Sequence, residues 1–191
     1  NALIDMGNVC FKLFDYVTAL KLFKKVFVLN PDNELIAVCI ANALTLMKDK
    51  KQAYSYYEKA LTMTDDKYRI YICYAISLTE FKEFDVAVEM FKKAIDFDSK
   101  KSNAYVLLAN LYSNFGKNKE AIDLYKKALQ VEPNNPETYV LLGNAHYLDN
   151  DMEQAVQSYR AAISISPDND EYRLIYSQVM EDYINSVRGV A

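Results

Sequence analysis

The sequence predicts an all-α protein built from repeated helical hairpins. The stretch from Ser102 to Asn135 contains two amphipathic segments with a short turn between them, and its pattern returns at a constant interval along the chain without insertion or deletion. Apolar residues spaced three and four apart lie on one face of a helix. Glycine and proline total only eight, and they stand mainly where segments end or turn, which is typical of helices with short connections.

Four recurring positions define the hairpin. In the first helix, a small residue recurs at Gly7, Ala41, Ala75, Ala109 and Gly143. In the second helix, an alanine recurs at Ala19, Ala53, Ala87, Ala121 and Ala155, an aromatic residue at Phe23, Tyr57, Phe91, Tyr125 and Tyr159, and a mostly alanine position at Val26, Ala60, Ala94, Ala128 and Ala162. Small residues on both helices allow close approach, and the aromatic ring fills the remaining space. A single hairpin cannot bury both of its faces, so we expect the hairpins to stack.

These positions resemble those of the tetratricopeptide repeat (TPR) family, whose characteristic period of about 34 residues equals the interval from Gly7 to Ala41. The resemblance implies an all-α, right-handed superhelical solenoid of antiparallel helix pairs. The expected repeats are 1–33, 34–67, 68–101, 102–135 and 136–169, and the expected C-terminal capping helix is 170–191. The alternative for the last segment is the first helix of a sixth repeat. Because Asn1 already lies inside a first helix, we expect the chain to be a segment of a longer protein.

The net charge of −4 is unevenly distributed along the chain. Residues 1–135 carry 19 basic and 17 acidic side chains, whereas residues 136–191 carry 3 basic and 9 acidic ones. Because nucleic-acid binding needs a basic surface, this distribution argues against a nucleic-acid partner. The acidic C-terminal part is interpreted either as a solvated surface or as a site for a basic partner. No apolar run is long enough to cross a membrane and no signal peptide is visible, so membrane insertion is not expected.

The reactive residues do not form a catalytic or metal-binding pattern. The three cysteines lack a paired-cysteine motif, and Cys39 and Cys73 occupy the same place in adjacent repeats. We interpret them as free thiols in a reducing compartment, which favours a cytoplasmic location, with a redox pair as the alternative. His146 lies in a core position and is expected to be buried and hydrogen-bonded. Without a phosphate-binding loop, a metal-ligand cluster or a nucleophile motif, we expect no enzyme activity and no cofactor.

The TPR resemblance implies that a protein or peptide ligand binds to a concave surface lined by the first helices. One position expected to face this surface follows the small residue and holds Asn8, Asn42, Ile76, Asn110 and Asn144. An asparagine amide has two donors and an acceptor, so it can bond the backbone of an extended peptide whatever the peptide's sequence. The alternative is that these asparagines form bonds between neighbouring helices of the protein itself.

Two further inward positions are mainly apolar. The first holds Ile4, Val38, Ile72, Val106, Val140 and Leu174, and the second holds Asp5, Cys39, Cys73, Leu107, Leu141 and Ile175. Burying an apolar side chain of this size contributes roughly 1.5–3 kcal/mol, which favours a groove for an amphipathic helix or an apolar peptide. Alternatively, these side chains pack against neighbouring first helices and are only partly exposed. The predicted groove residues are Asn8, Asn42, Asn110, Asn144, Val38, Ile72, Ile76, Val106, Leu107, Val140 and Leu141.

Some members of the family clamp the C-terminal carboxylate of heat-shock chaperones with lysine and arginine on three consecutive first helices. A lysine should then stand four residues before the groove asparagine, but those places hold Ile4, Val38 and Val106. The places for the later basic residues hold Cys73, Asn103, Leu107 and Ile175, and Arg69 is a lone match. We therefore expect no carboxylate clamp.

Three hypotheses for function follow. The first is a non-catalytic interaction scaffold or adaptor that binds a peptide or helix in its groove. The second is a self-assembling scaffold, in which part of another copy occupies the same groove and homo-oligomers form. The third is an interaction domain appended to an enzyme whose catalytic part lies outside these residues.

Overall fold

The computed structural model describes residues 2–189, and within that range all regular structure is helical, with no strand. The eleven helices of the described residues are α1 (Ala2–Lys12), α2 (Tyr16–Leu29), α3 (Glu34–Leu46), α4 (Lys50–Met63), α5 (Tyr68–Glu80), α6 (Phe84–Phe97), α7 (Ser102–Asn114), α8 (Asn118–Val131), α9 (Pro136–Leu148), α10 (Met152–Ile165) and α11 (Asp170–Arg188). The expected all-α fold class is confirmed.

The helices recur with the period seen in the sequence. Helices α3, α5, α7 and α9 each have 13 residues, and α2, α4, α6, α8 and α10 each have 14. Helix α11 begins one repeat period after α9 but continues for 19 residues. Its range falls within the predicted capping segment, of which Val190 and Ala191 lie outside the described residues. The division into five repeats and a cap remains a prediction.

The chain forms two compact units. The N-terminal unit, Asn1–Asp98, contains the pairs α1/α2, α3/α4 and α5/α6, and the second helix of a pair also contacts the first helix of the next, as α2 contacts α3 and α4 contacts α5. The C-terminal unit, Ser99–Ala191, contains the pairs α7/α8 and α9/α10, with α8 against α9 and α10 against α11. In both units, the contacts therefore join helices that are close in the sequence.

The small and aromatic positions make the close contact within each pair. The alanines of the second helices, from Ala19 to Ala155, have no exposed surface, and the aromatic ring that follows each of them is buried. A Cβ atom on Gly143 would lie 2.9 Å from Cε1 and Cζ of Tyr159, so the ring rests directly on the α9 backbone. The aromatic ring therefore occupies the space that the small residue leaves, as expected from the sequence.

Side-chain caps fix the start of most helices for which a polar residue is available. Asparagine or aspartate at the cap accepts a hydrogen bond from the backbone N–H three residues later, which satisfies one of the free donors of the first turn. The capping residues are Asp15, Asn33, Asp49, Asn135, Asp151 and Asn169, with distances of 2.9–3.2 Å. The equivalent residues before α5 to α8 are Lys67, Glu83, Lys101 and Lys117, which make no side-chain cap bond.

The turn inside each hairpin contains one residue in the left-handed backbone region. These residues are Phe14, Lys48, Lys82, Gly116 and Asn150, all with φ between 61° and 70°. They occupy the same place in successive repeats, so the turn geometry repeats with the helices even though only one of the five is glycine.

No helix within residues 2–189 is both long and apolar enough to cross a membrane.

Candidate functional site

A pocket of about 550 Å³ in the C-terminal unit is the candidate site. It lies on the first helices α7 and α9 and reaches Tyr125 of α8. Its lining residues are Asn110, Ser113, Asn114, Tyr125, Leu141, Asn144, Tyr147 and Leu148. The residues on α7 and on α9 are spaced three or four apart, so each set lies on a single face of its helix. Three primary amides, a hydroxyl, two phenols and two leucines therefore surround one volume.

Each asparagine at the pocket is bonded to a tyrosine of its own hairpin. The hydroxyl of Tyr125 donates to Oδ1 of Asn110 at 2.6 Å, and the hydroxyl of Tyr159 donates to Oδ1 of Asn144 at 2.6 Å. Because burial raises the pKa of Tyr125 to about 12, this phenol keeps its proton at neutral pH and remains a donor. The carbonyl oxygen of each amide is thus engaged within the protein, and this bond does not use the two N–H donors of the amide.

The same pairing explains most of the variation in the asparagine position. In the N-terminal unit, Tyr57 donates to Oδ1 of Asn42 at 2.6 Å. Where the aromatic residue is Phe91, which has no hydroxyl, the residue at the asparagine position is Ile76. Both interpretations of the asparagines thus have support, since the amide oxygen bonds a neighbouring helix and the amide nitrogen is left for another partner. Asn8, opposite Phe23, is the one asparagine without a phenol in this place.

The structure groups the predicted groove residues unevenly. Asn110, Leu141 and Asn144 line the pocket together. Val106, Val140 and Leu141 are partly buried and pack against the core of the C-terminal unit, and Leu107 is half-buried. This arrangement corresponds to the alternative that the apolar positions pack between neighbouring helices and are only partly exposed.

The predicted residues of the N-terminal unit do not share one environment. Val38 and Ile72 are only 3% and 6% exposed, because they belong to the core, so their side chains offer little surface to a ligand. Asn8 and Ile76 are exposed, and Asn42 is half-buried. The contact set that remains available in this unit is therefore Asn8, Asn42 and Ile76.

Sequence reasoning missed Ser113, Asn114, Tyr125, Tyr147 and Leu148 as pocket residues. The signal was present, because Ser113 and Asn114 lie three and four residues after Asn110, and Tyr147 and Leu148 lie three and four after Asn144. The repeat pattern does not mark these positions, because their residue types do not recur at the 34-residue interval. The corresponding residues on α3 and α5 are Thr45, Leu46, Thr79 and Glu80, which have different chemistry.

The remaining reactive residues form no comparable site. Cys39 and Cys73 are half-buried free thiols, and burial raises the pKa of both, which keeps them in the less reactive protonated form. His146 is buried, as expected, but neither ring nitrogen has a hydrogen-bond partner, and Oδ2 of Asp151 lies 3.6 Å from Nδ1, beyond hydrogen-bond distance. The expectation of a hydrogen-bonded histidine is therefore wrong.

Comparison with known families identifies the repeat. A family model described as TPR repeat matches residues 115–150. Two models described as tetratricopeptide repeat match residues 40–67 and 136–169, and residues 90–123. The chain belongs to the tetratricopeptide repeat family. The TPR resemblance drawn from the recurring positions is thus confirmed. The comparison with curated proteins finds no match.

Solved structures with the TPR fold are similar over most of the chain. MamA is 19% identical, with a TM-score of 0.69 over 90% of this chain and 93% of that one. The C-terminal part of a TPR repeat-containing protein from Cytophaga hutchinsonii is 18% identical, with a TM-score of 0.76 over 92% and 69%. YrrB, described as a TPR protein with an unusual peptide-binding site, is 18% identical, with a TM-score of 0.64 over 92% and 90%. These identities establish the fold alone.

Proposed function

We propose that the protein is a TPR interaction module whose C-terminal unit binds a peptide or an amphipathic helix at the pocket on α7 and α9. The TPR fold in general is a scaffold for protein interactions. The observation that carries the proposal is that Asn110 and Asn144, on successive first helices, line one pocket together with Leu141. Amide donors beside apolar surface suit a polypeptide, whose main chain is polar and whose side chains are partly apolar. The exposed Asn8, Asn42 and Ile76 are a separate candidate contact region in the N-terminal unit.

The experiment uses peptides selected from a random display library on the full chain. Their affinities are measured by fluorescence anisotropy for wild type, Asn110→Ala and Leu148→Glu. Loss of one amide should weaken binding about fivefold, since a hydrogen bond contributes about 1 kcal/mol. Leu148→Glu should weaken it about tenfold or more, because it places an unpaired charge against apolar surface.

The matched control for the glutamate variant is Val131→Glu, which changes an exposed apolar residue of α8 that does not line the pocket. Circular dichroism checks that all variants keep the helical content of wild type. Unchanged affinity in both pocket variants would remove the pocket from the function, and the display peptides would then be assigned to another surface.

A further inference from the structure

In the side-chain amides of Asn110 and Asn144, the oxygen acceptor is already hydrogen-bonded within the protein, whereas the N–H donors remain available. Oδ1 of Asn110 and Oδ1 of Asn144 each accept a phenol hydroxyl at 2.6 Å. An amide has two N–H donors on its nitrogen, and these remain for a ligand. Because each carbonyl oxygen is held by a buried tyrosine, the amide cannot turn over without losing a hydrogen bond. The pocket is therefore rich in donors on the side formed by these two residues.

None of the eight lining residues carries a charge, and one of them, Tyr147, is hydrogen-bonded to a carboxylate. The hydroxyl of Tyr147 donates to Oδ2 of Asp182 on α11 at 3.1 Å. Asp182 holds the phenol proton of Tyr147, so the oxygen of this phenol is available as an acceptor towards the pocket. The site thus offers N–H donors from α7 and α9, an acceptor at Tyr147, and a carboxylate behind that acceptor.

These features discriminate between neutral and anionic groups. A carboxylate or phosphate would find donors but no cation, and would approach Asp182, so its lost hydration would not be recovered. A carboxamide matches the site better, because its oxygen can accept from Asn110 and Asn144 while its nitrogen can donate to Tyr147. On the basis of the peptide-binding function above, we propose that this pocket selects an uncharged side-chain carboxamide of the bound polypeptide, and that Tyr125 and Tyr159 are positioning residues that orient the two asparagines.

Such a carboxamide comes from a glutamine or asparagine side chain, and the alternative source is the main chain of the ligand. Three small probes separate these sources: N-acetyl-glutamine N-methylamide, N-acetyl-glutamate N-methylamide and N-acetyl-alanine N-methylamide. Each is titrated into the ¹⁵N-labelled full chain, and the side-chain amide signals of Asn110, Asn114 and Asn144 are followed by NMR. Selection of a side-chain carboxamide predicts that the glutamine probe binds more tightly than the alanine probe, whereas equal affinity of these two would mean that only the main chain is bound and would overturn the proposal.

The glutamate probe should then bind about tenfold more weakly than the glutamine probe at pH 7, since its side-chain charge would enter the pocket without a cationic partner. Asp182→Asn should raise the affinity for the glutamate probe, because it removes a negative charge, and should have little effect on the affinity for the glutamine probe. Equal binding of glutamate and glutamine probes, or no shift of the three asparagine signals with any probe, would overturn the proposal.

Tyr125→Phe tests the positioning role. Phenylalanine already occupies this position at Phe23 and Phe91, so the variant should fold normally. The substitution removes the hydrogen bond that holds Oδ1 of Asn110, so the amide can turn over. Affinity for the glutamine probe should fall about three- to tenfold, and the ratio of the affinities for the glutamine and glutamate probes should decrease. Tyr105→Phe, on α7 but outside the pocket lining, is the control. If display peptides bind the pocket but show no preference for carboxamide over carboxylate, the interaction function stands and this inference fails.

Discussion

At the scale of single residues, His146 meets the packing demand of its position but leaves its polar atoms without partners. It is 4% exposed, and the residues at the same place in the second and third repeats are the buried Leu44 and Leu78. Burial lowers the pKa of His146 below the usual 6.5, as does Lys126, while Asp151 and Asp149 act in the opposite direction. The imidazole is therefore neutral and unbonded in the folded protein, which is a costly arrangement for a buried polar group.

We predict that His146 makes stability depend on pH below neutrality. Because the folded pKa is depressed, the unfolded chain takes up this proton first as the pH falls below about 6.5, and the free energy of unfolding decreases. Above about pH 6.5, His146 is neutral in both the folded and the unfolded chain, so it no longer makes the free energy of unfolding depend on pH. Urea denaturation at pH 7.5 and at pH 5.5, compared between wild type and His146→Leu, measures this contribution.

The leucine variant should lose part of the pH dependence and should gain about 1–3 kcal/mol of stability at pH 7.5, since two unsatisfied nitrogens are removed and the leucine fits the same position as Leu44. A variant with the wild-type pH dependence would show that other groups cause it. His146→Leu lies outside the pocket lining, so it leaves the candidate site unchanged.

From the sequence, only those residues of the candidate site that recur at the 34-residue interval could be predicted. The asparagine position was visible because Asn42, Asn110 and Asn144 recur at one place. The orientation of the amides depends on a tyrosine 15 residues away in the chain, which requires the distance between two helices to be known. Asn114 and Tyr147 occur once and follow no period, so only the three-dimensional arrangement showed that they share a pocket with the asparagines.

At the scale of elements, the turn inside each hairpin requires one residue with positive φ, although glycine occupies that position in only one of the five turns. Five equivalent residues adopt positive φ, but three of them, Phe14, Lys48 and Lys82, have side chains that disfavour this region. A left-handed conformation costs an ordinary residue about 1–2 kcal/mol relative to glycine. The helices on both sides fix the turn, so this strain is tolerated at Phe14, Lys48 and Lys82.

We predict that glycine at the left-handed position stabilises the turn. Lys82→Gly should raise the free energy of unfolding by about 0.5–1 kcal/mol, since the relief of strain exceeds the added flexibility of the unfolded chain. Gly116→Ala, with a φ of 70°, should lower it by about 1 kcal/mol. Urea denaturation measures both changes. The same sign for the two substitutions would contradict a common backbone requirement.

We also predict that Asn135 contributes to α9 through its cap. Its Oδ1 accepts hydrogen bonds from the backbone N–H and from the hydroxyl of Thr138, both at 2.9 Å. Asn135→Ala should reduce stability by about 1 kcal/mol, the usual cost of losing such a cap. Asn134→Ala, at the exposed neighbouring residue with no capping role, is the control and should have little effect. Equal losses in the two variants would show that the cap bond is not the cause.

The elements themselves were the best predicted part of the fold, because their signals are local and repeated. The small residue, the alanine and the aromatic ring of each hairpin set the helix faces, and Gly143 against Tyr159 shows how close the helices are. The burial of Val38 and Ile72 was harder to predict. Whether an apolar residue at the edge of a helix face is covered depends on the angle at which the next helix packs, and the sequence pattern does not contain that angle.

At the scale of the whole molecule, stability is distributed along the chain. Contacts join helices that are adjacent or next to adjacent in sequence, such as α9 with α10 and α3 with α5. In a repeat array of this kind, stability is approximately a sum over repeats and their nearest neighbours. A substitution in one hairpin should therefore destabilise mainly that hairpin and its neighbours. The backbone amides of distant helices should remain protected from hydrogen exchange.

We predict that Tyr159→Ala loosens α9, α10 and α11 while leaving α3 and α4 protected. Tyr159 is buried against Gly143 and belongs to the core cluster with Ala155 and Val179, and its loss should cost about 3–5 kcal/mol locally, as for other large aromatic residues. Hydrogen exchange followed by mass spectrometry should show faster exchange in peptides from α9 to α11 only. Tyr159→Phe, which keeps the ring and removes only the bond to Asn144, should change exchange far less. A uniform increase over α3 to α11 would instead mean that the described helices unfold as a single cooperative block, in which a change in one hairpin weakens all the others equally.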